Sequence, residues 1–218
     1  MKIYVTQFAS FLPSHENPSE QPKLEYVDSL FRRRLSQITR MTIEVVHELI
    51  EKDGELLKCK ICFASFRGEI ARQLKINAGL VEDADVMPAQ LSLSVFNTPP
   101  AATTIALKMK AGYTAIYPSE GNFSSALIAG GSSVLSGEEK KIIFAYADEK
   151  IPEEYANCKG YGEKMPLSFA CVLSGEKSDG AIEIDLNNEN LKKITGTPKT
   201  FLAYLENAAS DNAFSMLP

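Results

Sequence analysis

Histidine is nearly absent from this chain. Its 218 residues include two, His15 and His47, and none follows residue 47. A serine hydrolase built on a strand-turn-helix nucleophile elbow needs a histidine base downstream of its serine. The one stretch shaped like such an elbow, Tyr117-Pro118-Ser119-Glu120-Gly121, has no such base to draw on. Tyr117 also stands where the first glycine of that motif permits close packing. A serine without a base is a weak nucleophile, so hydrolase chemistry at Ser119 is disfavoured.

Other shortages narrow the field further. No apolar run nears the ~18 residues that a membrane span requires. The opening Met1–Gln7 reads as a strand, too short and too interrupted for a signal peptide. A cytoplasmic location with no membrane span is the expectation. Basic residues are outnumbered, with 23 Lys and Arg against 28 Asp and Glu, which argues against nucleic acid as a partner. There are four cysteines: Cys59, Cys62, Cys158 and Cys171. Cys59 and Cys62 have C-x-x-C spacing but sit in "LKCKICFASF", which reads as a strand. Residues i and i+3 of a strand face opposite ways, so a shared metal or a redox pair is the minor alternative to reduced structural cysteine. Neither a metal nor a cofactor is expected. Gly160-Tyr161-Gly162 lacks the third glycine and the following helix of a dinucleotide site, and reads as a loop.

What is present is ordinary for a globular domain: 44% hydrophobic and 23% charged residues, in a chain long enough to bury roughly 70% of its unfolded surface. Strand and helix signals alternate. A strand at about 2–9 precedes the proline-punctuated loop "LPSHENPSEQP". Phe31, Leu35, Ile38, Met41, Val45 and Leu49 then recur at helical steps and predict an amphipathic helix over 28–52, ended by Asp53-Gly54. A strand at 57–64 and a helix at 68–77 follow. Residues 78–97 read as irregular or extended, and "TTIALKMK" as a short helix. Strands at 112–117 and 140–147 bracket a helix at 121–136. "PLSFACVL" and "AIEIDL" read as a hairpin across Gly175–Gly180. A last helix opens at Pro198, and the final ten residues read as frayed. Serial β-α-β units imply an α/β fold with a mostly parallel sheet.

Two features bear on function. From Gly121 to Gly137 there is no charged residue. A helix without a polar face is expected to lie between two layers, with Gly130-Gly131 allowing close backbone approach. Arg32-Arg33-Arg34 reads as a solvated helix face, with a docking patch for an acidic partner as the alternative. His47, between Ile43 and Ile50 on its helix, reads as partly buried rather than catalytic.

Four segments in order, "FRRRLSQITRMTIEVVHEL" (31–49), "CFASFRGEIARQL" (62–74), "QLSLSVFNTPPAATTIAL" (90–107) and "YTAIYPSEGNFSSALIAGG" (113–131), resemble the β-ketoacyl synthase-like N-terminal domain family, short chain-length-factor-like relatives of condensing enzymes. "IIFAYADEKIP" (142–152) extends the match. The resemblance implies an α/β chain forming half of a thiolase fold, a five-stranded mixed sheet between helix layers. Residues 1–208 would form that domain and 209–218 a tail. In a ketoacyl synthase the nucleophilic cysteine occupies the strand-to-helix turn; here that turn is Pro118-Ser119-Glu120-Gly121, without cysteine. The synthases' two histidines come from a second half that these residues do not contain. Phe96 stands where family members commonly have histidine, and Pro99-Pro100 where small residues are usual.

The function so implied is a non-catalytic, chain-length-factor-like subunit of a β-ketoacyl-ACP synthase heterodimer, in fatty-acid, polyketide or aryl-polyene type biosynthesis. Phe96, Asn97, Ser119, Glu120 and Phe123 would shape the acyl pocket. Tyr113, Thr114, Ala115, Ile116 and Tyr117 would form the dimer edge, and an acyl carrier protein is a further expected partner. The alternatives are a stand-alone homodimeric module that binds acyl chains or carrier protein, and residual acyl-transfer or hydrolase activity through Ser119 or Glu120.

Overall fold

Ser36 divides the long apolar helix expected from the sequence. In the computed structural model it adopts an extended backbone, and its hydroxyl accepts from the Thr39 amide at 3.3 Å, the geometry of a helix cap. The span is therefore two helices, α1 (Ser29–Arg32) and α2 (Gln37–Lys52), with β1 (Lys2–Phe11) before them. The structure describes residues 1–82, 88–118, 122–158, 165–187 and 191–215. A 3-10 turn at Gly54–Lys58 takes the place of the first residues of the expected second strand, so β2 is Lys60–Ala64. Residues 78–97 are less irregular than expected: α3 (Ile70–Glu82) and α4 (Pro88–Leu91) occupy much of the stretch. Pro99-Pro100 starts a helix rather than preceding one, since proline needs no amide partner in a first turn. That helix is α5 (Thr98–Ala106), and it ends before Lys108, whose φ is +57°. The remaining elements are β3 (Tyr113–Ile116), α6 (Phe123–Leu135), β4 (Lys141–Asp148), β5 (Leu167–Ser174), β6 (Ile182–Asp185), α7 (Leu191–Ile194) and α8 (Pro198–Ser215).

The sheet has six described strands, not five, in the order β3-β2-β4-β5-β1-β6. It is mixed rather than mostly parallel: β2 runs parallel to β3 and β4, while β4–β5, β5–β1 and β1–β6 are antiparallel. The expected hairpin of the last two strands is also corrected. β1 lies between them, pairing Phe8 with Cys171 on one side and Ile3 with Ile184 on the other. All eight residues of β5 are buried, and a strand buried throughout needs a neighbour on each side.

Alternation along β4 separates two cores. Ile143, Ala145 and Ala147 join Ile38, Val45, Val46 and Leu49 of α2. Ile142, Phe144 and Tyr146 join Phe123, Ala126 and Leu127 of α6 and Phe201 of α8. Gly130 allows this second contact, because a Cβ there would sit 2.8 Å from the Phe144 ring and 3.3 Å from the Cys62 sulfur. The expectation that α6 lies covered on every side is corrected within this chain. Its sheet face is buried, but Ala129 and Ser132 are exposed and Ile128 is 40% exposed. No helix among the described residues is long and apolar enough to cross a membrane.

Candidate functional site

Because β2 and β4 run parallel with Ala64 opposite Tyr146, both deliver their carboxyl ends to one rim of the sheet. Parallel β3, with Ile116 opposite Ala64, ends there too. Carboxyl ends of parallel strands are where α/β folds place ligands. The rim thus gathers the loop after Ala64, the turn after Ile116 and the residues after Ala147.

Asp148 organises this rim. Its Oδ1 accepts from Ser65 Oγ at 2.7 Å and from the Phe66 and Arg67 amides at 3.2 and 3.1 Å. Its Oδ2 accepts from the Tyr146 hydroxyl and lies 3.5 Å from Arg67 Nε. The Arg67 and Asp148 side chains are almost wholly buried, so the pair is screened little by solvent. Burial, the Asp148 charge and the hydrogen bond to it hold the Tyr146 phenol well above its ordinary range. With these donors engaged, Asp148 fixes the 65–68 loop. Sequence reading misses this network, since Arg67 and Asp148 are 81 residues apart.

The loop so fixed carries Gly68, whose φ is +56° and whose absent side chain leaves room for Phe96; a Cβ there would lie 2.9 Å from that ring. Phe96 tilts against Phe63 at 6.2 Å and meets Tyr117 edge-on at 5.5 Å. Asn97 Nδ2 donates to the Tyr113 hydroxyl at 3.0 Å. Phe96 and Asn97 therefore grip opposite ends of β3. Phe123 is placed elsewhere: it packs across the sheet from Phe63, with its ring 5.5–6.1 Å from Phe144, Tyr146, Phe169 and Phe201. Ser119, Glu120 and Gly121 lie outside the described residues, as do Gly160–Gly162.

Among the described strands, β3 is the terminal one on its side of the sheet. Gly112 O accepts from Ile61 N, and Ile116 O accepts from Ser65 N. Period two therefore turns the backbone groups of Thr114 toward β2 and those of Tyr113 and Ala115 outward. Tyr117 beside them is 66% exposed.

Neither histidine joins this rim. His47 stacks on Tyr26 at 3.6 Å on α2. His15 lines a cavity of about 200 Å³ with Leu12, Met165, Pro166 and Leu202. Of the three consecutive arginines, Arg32 is structural, donating to the Lys23 and Leu24 carbonyls. Arg33 and Arg34 are exposed at a groove of about 1040 Å³ that also contains Arg72, Lys75 and Glu149.

Cys62 packs in the α6 core while Cys59 packs against the α2 core, so the C-x-x-C spacing does not converge. Burial pushes the Cys62 thiol up to about 11, and burial raises Cys171 and Cys59 as well. In a native alkylation experiment read by peptide mass, exposed Cys158 is expected to react first. Cys62 and Cys171 should react only on unfolding, since the thiolate is the nucleophile. Labelling of Cys62 in the folded protein at a rate near that of Cys158 would contradict this placement.

The fold recurs in solved ketosynthase assemblies. A chain from the complex of the ketosynthase ApeO with its chain length factor ApeC, from Xenorhabdus doucetiae, superposes with a TM-score of 0.69 at 18% identity, covering 82% of this chain and 81% of that one. The ishigamide ketosynthase/chain length factor gives 0.61 at 12% identity, over 82% and 64%. A β-ketoacyl synthase from Burkholderia phymatum STM815 gives 0.58 at 9% identity, over 79% and 59%. No curated protein matches the chain. The architecture is thus the thiolase-like one, and this chain spans less than two thirds of the second and third of those structures. The model of the beta-ketoacyl synthase N-terminal domain matches residues 8–211, and with nearly the whole sheet inside that match the chain belongs to this family.

Proposed function

We propose that this chain is the non-catalytic, chain-length-factor-like member of a ketosynthase pair, acting in fatty-acid, polyketide or aryl-polyene type biosynthesis. The observation that carries the reading is the outer edge of β3, whose Tyr113 and Ala115 backbone groups have no strand beside them among the described residues. A strand edge free of charge and proline invites a second chain, and Asn97 and Phe96 hold this one from behind. The ketosynthase–chain length factor assemblies named above support a synthase as that second chain. Tyr113, Thr114, Ala115, Ile116 and Tyr117 would form the shared edge. Phe96, Asn97, Ser119 and Glu120 would shape the acyl pocket near the turn, and Phe123 would support it from the core. The chain offers no cysteine in 117–122 and no histidine after residue 47, so it supplies neither nucleophile nor base for condensation.

Co-expression of the tagged chain with full-length ketosynthases, followed by pull-down and condensation assays, tests the assignment. A stoichiometric complex should condense malonyl and acyl thioesters where the chain alone turns over neither these nor acyl esters. Ser119→Ala should leave complex activity within about twofold, since a residue that neither attacks the thioester nor moves its protons has little to lose as alanine. Turnover by the isolated chain that Ser119→Ala abolishes would overturn the reading, and self-association without synthase binding would select the homodimeric module instead.

A further inference from the structure

Two helices begin against one pair of buried carboxylates. Glu69, immediately before α3, is fully buried and accepts from Ser36 Oγ at 2.6 Å, Thr39 Oγ1 at 2.7 Å and Arg72 Nε at 3.2 Å. Glu149, just past β4, is 3% exposed and accepts from the Ala71 amide at 3.0 Å in the first turn of α3. The Ile38 amide, in the first turn of α2, lies near enough to Glu149 to favour its charged form. The next residue reinforces the join, because the Lys150 amide donates to Gln37 Oε1 at 2.9 Å. The ends of α2, α3 and β4 therefore meet through two acids.

Among the described residues, one cation, Arg72, is bonded to the pair. From α3 come Glu69 itself and Arg72, the cation bonded to it. From α2 the facing groups are Ser36, Gln37 and Thr39, all neutral. Arg33, Arg34, Lys75, Lys150, Glu153 and Glu154 line the groove onto which Glu149 opens. Neighbouring Asp148 is engaged by Arg67. Two buried carboxylates, of which Glu69 holds the bonded cation, cannot both stay charged without cost.

We propose that Glu69 and Glu149 form a proton-operated joint. One proton on the pair clamps the first turns of α2 and α3 to the end of β4. Its loss sets the two carboxylates against each other and loosens the wall of the groove. The groove gives water and protons a route to Glu149, and the Ala71 amide bonded to it reports the state of the clamp directly.

Burial and the Glu69 charge push the Glu149 carboxyl up to about 7, so the device works in the neutral range. A raised carboxyl contributes stability that is complete below its unfolded value and is lost as pH climbs through the folded one. Between pH 6 and 8 that loss is about one pK unit, or roughly tenfold in the opening equilibrium.

Amide hydrogen exchange on the full chain, corrected for intrinsic rates, is the test. Protection at Ala71 should fall about tenfold from pH 6 to pH 8. In Glu149→Gln, which keeps an acceptor for Ala71, protection should stay at its pH 6 level. Carboxyl carbon NMR of the wild type should show a glutamate titrating between pH 6 and 8. Unchanged wild-type protection, a tenfold fall that persists in Glu149→Gln, or no carboxyl titrating in that window would each overturn the proposal. None of these readouts depends on a synthase partner, so they stand or fall apart from the function proposed above.

Discussion

Ala115→Pro is expected to abolish association through β3 while leaving the chain folded. The Ala115 amide points away from β2, as the bonds from Ile61 to Gly112 and from Ser65 to Ile116 establish. Proline there deletes a donor that β2 does not use and pushes its ring into the space a second chain would occupy. We expect binding to weaken at least about a hundredfold, on the order of 3 kcal/mol, enough to remove the complex from size-exclusion profiles at micromolar concentration. Thr114→Pro is the contrast: its amide faces β2, so the same residue one position earlier should damage the fold itself. Light scattering and circular dichroism separate the two. If Ala115→Pro binds a ketosynthase or itself as the wild type does, the edge of β3 is not the shared surface.

Phe123→Ala is expected to be the most damaging single truncation to stability. The ring is fully buried and faces four other rings, contributed by β4, β5 and α8. Removing it forfeits burial, opens a cavity between helix and sheet, and cancels edge-to-face contacts, at a cost of about 3–5 kcal/mol. For a domain of this size that corresponds to a melting point lower by roughly 6–20 °C. Urea unfolding should show the loss with an unchanged slope. A loss under about 1 kcal/mol would mean that the ring lines an adaptable space rather than the core.

The sequence made some of this visible and hid the rest for definable reasons. Strand alternation exposed β4 and β5, because each residue there faces one core or the other. The break at Ser36 escaped because Phe31, Leu35 and Ile38 keep helical spacing across it, while the cap that marks it is a single hydroxyl. The order of β5, β1 and β6 escaped because two strands joined by a short loop look alike whether or not a third lies between them. Phe96 and Asn97 drew attention through a resemblance, whereas their contacts with Tyr117 and Tyr113 had no sign in the sequence. Arg67, Glu69, Asp148 and Glu149 carried no local sign of burial, since a charged residue after a strand ordinarily faces water. Arg67 and Asp148 meet across 81 residues because the parallel register of β2 and β4 brings their strand ends together.

The packing of Gly130 on Phe144 carries a consequence for inheritance. The helix has no room for a methyl group while the aromatic ring stands opposite, so a lineage could not add bulk at one position without first giving it up at the other. The two sites form a single volume shared between α6 and β4, and substitutions there should appear as exchanges, a larger residue on the helix accompanied by a smaller one on the strand. A designer can use the same rule: Gly130→Ala alone should destabilise the domain, and Phe144→Leu should recover part of the loss when the two are combined.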